Sequence, residues 1–170
     1  RRRFKLKLVR RLHINKDDHI LDYGCGTGIL TNYLSKKAPD GKVMAVDIIH
    51  EKLVRLSEKK RVMLARRGNI MIVEEDRAIK FEKNLFDKIV GGGVLNLVNN
   101  PEKLLKNLHD ALRKDGVVAF LIIDSWGHPA PLKLNTAEKI EKVFKAAGFS
   151  DITINQKRGI ATKYYAYAKK

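Results

Sequence analysis

A single cysteine, Cys25, stands in the whole chain, so no internal disulfide can brace it. That usage fits a reducing compartment and leads us to expect a cytoplasmic protein. Long apolar runs are missing as well. The longest, residues 117–123, is far too short to cross a bilayer, which argues against integral membrane association. The chain opens on arginines and never reaches the apolar segment of a secretory leader. Arg1 is no initiator methionine, so the sequence is expected to be trimmed or excerpted. Neither an internal repeat nor a low-complexity linker interrupts it. The five histidines form no spaced ligand set with the lone cysteine, so no metal site is expected.

Acidic residues are scarce, 19 against 35 Lys and Arg, which gives a net charge of +16. Half of the first sixteen residues, "RRRFKLKLVRRLHINK", are basic. Such a block suits phosphate backbones or an anionic surface, and RNA is one partner it would fit. It also suits a solvated helix face, because Phe4, Leu8 and Leu12 recur every four residues and would turn toward a core. The scatter of the remaining basic residues favours the second reading. A helix lying on a membrane is disfavoured by its narrow apolar face and its lack of Trp.

What is present is ordinary for a folded protein: 44% apolar and 32% charged residues in 170, enough for one real core. Strand-like and helix-like stretches alternate along the chain. "HILDY" (19–23), "KVMAVD" (42–47), "NIMIVEED" (69–76), "FDKIV" (86–90) and "VVAFLIID" (117–124) are expected strands. Helices are expected from Ile29, through residues 50–67, and after Asn100, with Leu104, Leu105, Leu108 and Leu112 lining an inner face. Asn135 with Glu138 resembles a capping box for a helix burying Ile140, Val143 and Phe144 and closed by Gly148. "DITINQK" and "ATKYYAYAK" alternate like half-exposed strands near a sheet edge. The sum is an α/β fold with a doubly wound, mostly parallel sheet of seven strands, three layers (α/β/α), and a C-terminal antiparallel hairpin.

The chemistry concentrates in "ILDYGCGTGILT", residues 20–31, where three glycines follow a buried strand. In doubly wound sheets ligands sit beyond the C-terminal ends of the strands, and a bare turn there admits a ligand to the backbone. The dinucleotide fingerprint is G-x-G-x-x-G. This chain has G-x-G-x-G, with Ile29 where the last glycine of that fingerprint would fall. Asp22, two residues before the first glycine, would repel a pyrophosphate but suits an ammonium group. The loop amides and the following helix suit a carboxylate. Asp47, closing the second strand, is placed to accept hydrogen bonds from two vicinal ribose hydroxyls. A ligand with a ribose, an amino acid and no phosphate is S-adenosylmethionine.

From about His19 onward the chain closely resembles the class I, Rossmann-like methyltransferases that use this cofactor. It is most similar to the small type 11 family and its quinone-biosynthesis relatives. "ILDYGCGTG" carries the first motif, "VMAVDIIHEKL" the second, and residues 86–124 the block from the fourth strand through the fifth. The resemblance implies one methyltransferase domain over 1–170, with a basic N-terminal helix over 1–16 and the Rossmann-like core over 17–170. It implies that Asp22, Tyr23 and the loop of Gly24, Cys25, Gly26 and Gly28 hold the methionine part, and that Asp47 holds the ribose. Ile48 would pack on the adenine, and Asp76 would meet its amino group with the Arg77 amide beside it. Glu74 and Glu75 are alternatives to Asp76, because "EEDRAIKF" lacks the family's proline. Cys25 itself is expected to be a small residue in a tight turn rather than a nucleophile.

Methyl transfer from a sulfonium is an in-line displacement that asks the protein to position an acceptor and exclude water. Gly91 and Gly92, with Gly93, end the fourth strand beside the expected methyl position and are expected to leave room for an acceptor. Asn96 and Leu97 stand where many relatives carry histidines, which weakens a base there, although Asn96 remains a candidate for orienting the acceptor. The loop "SWGHPAPLKL" (125–134) should cover the acceptor pocket, with Trp126 its aromatic and His128 its titratable side chain and candidate base. The expected function is methyl transfer to a small-molecule acceptor. The alternatives are an RNA methyltransferase using the basic helix, and a cofactor-binding partner protein without turnover. Neither the acceptor nor the oligomeric state is written in these motifs.

Overall fold

The computed structural model describes residues 2–47, 70–74, 80–124, 134–159 and 161–170, with the side chains of Arg2 and of 70–74 left aside. Its elements are helix α1 (Arg2–Val9), strand β1 (His19–Tyr23), helix α2 (Ile29–Lys37), strand β2 (Lys42–Asp47), strand β3 (Ile70–Glu74), strand β4 (Phe86–Gly92), helix α3 (Pro101–Ala111), strand β5 (Leu112–Asp124), helix α4 (Ala137–Ala146), and strands β6 (Ser150–Lys157) and β7 (Thr162–Lys169). The helix expected over 50–67 lies outside the described residues, as do Ile48, Asp76, Arg77, Trp126 and His128.

One sheet runs in the order β3-β2-β1-β4-β5-β7-β6. The first five strands are parallel, and β7 pairs antiparallel with both β5 and β6. The chain moves outward from β1 through β2 to β3, then returns to β4 on the other side of β1. That reversal opens a crevice at the C-terminal ends of β1 and β4, where Tyr23 lies opposite Gly91.

Alternation along the buried strands feeds two cores, one on each face of the sheet. Ile89, Val118 and Phe120 point to one face, where Leu105, Leu108, Ile140 and Phe144 of α3 and α4 cover them. Val90, Ala119 and Leu121 point to the other, where Leu8 of α1 and Leu30 and Leu34 of α2 meet them. The layers are therefore helix, sheet and helix. The basic segment is part of this packing: Leu8 is fully buried and the Tyr167 hydroxyl donates to the Leu8 carbonyl at 3.1 Å. Its charges lie over aromatic rings, with Lys7 Nζ 5.4 Å from the Tyr165 ring centre and the Arg11 guanidinium 5.9 Å from that of Tyr167. The helix is shorter than the expected 1–16. It stops at Val9, and Leu12 reaches the core from a turn in which its amide bonds the Val9 carbonyl.

Three other expectations shift. Asn100 does cap α3, accepting from the Lys103 amide at 2.9 Å. Leu112, however, is extended rather than helical and pairs with Phe86, so α3 runs straight into β5. At α4 the cap is Thr136, which accepts from the Lys139 amide, while Asn135 Oδ1 takes the Lys139 ammonium instead. Strand β7 is interior rather than half-exposed, because β5 and β6 flank it; Tyr164, Tyr165, Ala166 and Ala168 are buried.

Candidate functional site

The C-terminal ends of β1, β2 and β4 bring Asp22, Asp47 and Gly92 to one edge of the sheet. The loop between β1 and α2 bends over this edge through three left-handed glycines, with φ of 74° at Gly24, 55° at Gly26 and 67° at Gly28. Space matters too at Gly24, since a Cβ there would lie 2.8 Å from Val94 Cβ. The loop's own bonds hold its shape. The amides of Gly24 and Cys25 both donate to the Val46 carbonyl, at 2.7 and 3.0 Å. Gly26 donates to Asp47 Oδ2 at 2.6 Å, and Gly28 to the Cys25 carbonyl at 3.1 Å. These four amides thus bind loop and strand together rather than pointing at a ligand carboxylate, which the sequence had led us to expect.

Asp22 is wholly buried. One oxygen, Oδ2, accepts from the Thr31 hydroxyl at 2.7 Å, while Oδ1 has no partner among the described residues. Burial pushes its pKa up to about 6, against the pull of the Thr31 hydrogen bond and of the Lys5 charge; the nearby Asp47 adds a smaller upward push. An unpartnered carboxylate oxygen in so dry a place is costly unless a donor arrives. It fits the ammonium end of an amino acid.

The remaining candidates divide. The ring of Tyr23 turns to the far core, edge-on to Phe81 at 6.5 Å, so only its backbone lies at the crevice. Cys25 is buried, and desolvation raises its thiol well above the ordinary range, as suits a small filler rather than a nucleophile. The room expected at the glycines of β4 is taken. A Cβ at Gly91 would sit 2.3 Å from Phe120 Cε1, and one at Gly92 2.9 Å from Lys5 Cε. Gly91→Ala should therefore destabilise the fold by about 1–3 kcal/mol, read as a lower midpoint in denaturant melts, because Phe120 is fully buried and cannot move aside.

The side-chain amide of Asn96 is engaged within the fold. Its nitrogen donates to the carbonyls of Ile123 (3.2 Å) and Leu134 (3.5 Å), and its oxygen accepts from the Leu134 amide at 3.2 Å. It ties the end of β5 to the approach to α4, across the segment expected to cover the acceptor. Asn96→Ala should cost about 1–3 kcal/mol of stability, read as a lower midpoint in denaturant melts, leaving cofactor affinity unchanged.

A methyltransferase-domain family profile matches residues 1–154. The chain belongs to that family. It is 32% identical over 117 residues to the demethylmenaquinone methyltransferase of Symbiobacterium thermophilum, covering 65% of this chain and 44% of that one. It is 26% identical over 148 residues to the malonyl-[acyl-carrier protein] O-methyltransferase of Bacillus cereus, covering 86% and 49%. The chain spans a little under half the length of these relatives. Among solved structures it resembles a SAM-dependent methyltransferase from Aquifex aeolicus, with a TM-score of 0.78 at 20% identity over 97% of this chain and 88% of that one. The cofactor of this methyltransferase family is S-adenosylmethionine, in agreement with the first-motif spacing. No helix among the described residues is long and apolar enough to cross a membrane.

Two site residues escaped sequence reasoning. Thr31 could have been noticed as a hydroxyl on the inward face of α2, beside Leu30 and Leu34. Lys5 stands in register with Leu8 and Leu12 on the inward face of the basic segment, and that spacing was its only signal.

Proposed function

We propose that this methyltransferase domain transfers a methyl group from S-adenosylmethionine to a small-molecule acceptor, in a reducing, cytoplasmic setting. The observation that carries the reading is the pair of buried carboxylates flanking the glycine loop. Asp22 leaves one oxygen for an ammonium, and Asp47 is anchored by the Gly26 amide at the end of β2, where a ribose diol would meet it. When bound, the cofactor supplies a methyl already activated on a sulfonium.

The chain's own part is positional. Asp22 and Asp47 orient the two polar ends of the nucleoside, and the αL glycines keep the loop backbone close. Asn96 ties Ile123 to Leu134, the two sides of the segment that carries Trp126 and His128 in sequence and is proposed to serve the acceptor. Ile48, Asp76 and the Arg77 amide, lying outside the described residues, are proposed for the adenine. No base is required of the residues at the end of β4, since glycines stand there. The demethylmenaquinone methyltransferase relative supports a small-molecule acceptor over RNA, as does the packing of α1 against the sheet.

Calorimetry with S-adenosylhomocysteine should show binding at micromolar concentration. Labelled methyl transfer into a metabolite extract should yield a labelled small product. Absence of both, with a folded protein, would rule the reading out.

A further inference from the structure

Lys5, on α1, lies along the end of β4: a Cβ at Gly92 would stand 2.9 Å from its Cε, 3.1 Å from its Nζ and 3.2 Å from its Cδ. Its stem therefore rests on the bare backbone of Gly92, and its ammonium overhangs the same crevice as Asp22. Both Asp22 and Cys25 feel its positive charge. Lys5 is half-buried, and among the described residues it has no hydrogen-bond or ion-pair partner.

We propose that the Lys5 ammonium binds the carboxylate of the cofactor's methionine end. This rests on the cofactor reading above and adds a ligand that the glycine motif does not contain.

Two observations converge on it. The amides of Gly24, Cys25, Gly26 and Gly28 are all bonded within the loop and strand β2, so these four are not free for the carboxylate, and a cation beside the start of α2 is placed to share in holding it. Among the described residues the crevice brings together a buried acceptor without a donor, Asp22 Oδ1, and a cation without an acceptor, Lys5. An amino acid's ammonium and carboxylate complete both at once. Gly92 is then required for reach rather than for an open acceptor cavity, since any side chain there would lift Lys5 away.

The test compares S-adenosylhomocysteine with its decarboxylated form, S-adenosyl-3-thiopropylamine, by calorimetry. Lys5→Met keeps the apolar stem over Gly92 and removes the charge. The unaltered chain should prefer the carboxylated ligand by about 10- to 100-fold. Lys5→Met should erase that preference by weakening S-adenosylhomocysteine alone, and Lys5→Arg should largely restore it. Unchanged melting of each variant establishes that it is folded. A preference that persists in Lys5→Met, equal loss for both ligands, or an effect confined to the acceptor's KM would each overturn the proposal. No binding of S-adenosylhomocysteine to the unaltered chain would sink the cofactor reading itself, and this one with it.

Discussion

Replacing Asp22 with Asn is expected to make the unliganded protein harder to unfold and worse at holding its cofactor. Burial raises the folded-state pKa of Asp22 from 3.8 to about 6. A raised carboxyl favours the folded state in its protonated form. That contribution is complete below about pH 4 and is lost as the pH climbs through about 6. At pH 7 the ionised carboxylate thus weakens the fold, and a shift of about two units corresponds to about 3 kcal/mol. The neutral amide can still accept from the Thr31 hydroxyl while carrying no buried charge. Urea melts of the unliganded protein at pH 7 should show Asp22→Asn more stable by about 2–3 kcal/mol, and the gap should close near pH 4. S-adenosylhomocysteine should bind the variant more weakly, and the unaltered protein should itself lose affinity as the pH falls below about 6. A variant less stable than its parent at pH 7 would show that the charge is better compensated than the geometry allows.

The second large effect belongs to Asp47. Asp47→Ala takes away the proposed ribose acceptor and also strips the Gly26 amide of its 2.6 Å partner, loosening the turn that approaches the ligand. Charge-assisted hydrogen bonds in a sheltered site are the strong ones, so the loss should be about 3 kcal/mol, or about a hundredfold in affinity. Asp47→Asn should fall between the two. The signature separating Asp47 from Lys5 is the ligand that feels the change. 5′-Methylthioadenosine keeps the ribose and lacks the amino acid, so its binding should drop with Asp47→Ala and stay the same with Lys5→Met. Calorimetry on that nucleoside decides the matter, and an unaltered dissociation constant in a folded Asp47→Ala would remove the ribose assignment.

The parts of this site that can be read along the chain are those set by local backbone chemistry. Gly24, Gly26 and Gly28 adopt left-handed φ values because a loop leaving a buried strand must turn sharply, and their spacing separates this turn from a dinucleotide loop. Asp22, one residue before the end of β1, and Asp47, the last of β2, are acids that interrupt buried apolar runs. Asn100, Pro101 and Gly148 act locally too, and they bound their helices as expected. What could not be read this way depends on partners far along the chain. Asn96 has the composition of a loop residue, and only the meeting of Ile123 and Leu134 beside it makes it a tie. Gly91 looks like open space until Phe120 of the neighbouring strand fills it. Lys5 sits within a block of like charges, and only the placement of α1 against the sheet singles it out. For the same reason β7 looked peripheral: its alternation of tyrosines resembles an edge strand, and its burial comes from being enclosed by β6.

That enclosure sets an order of assembly. Strand β6 precedes β7 in the chain, yet it touches the rest of the sheet only through β7. During synthesis on the ribosome, β6 would emerge with helix α4 but no strand to pair with, and the apolar flank of β5 would stay open until residues 162–169 arrived. The sheet therefore closes late, from the far side inward, and a nascent chain paused before Thr162 would present the raw margin of its most hydrophobic strand to chaperones and to other copies of itself.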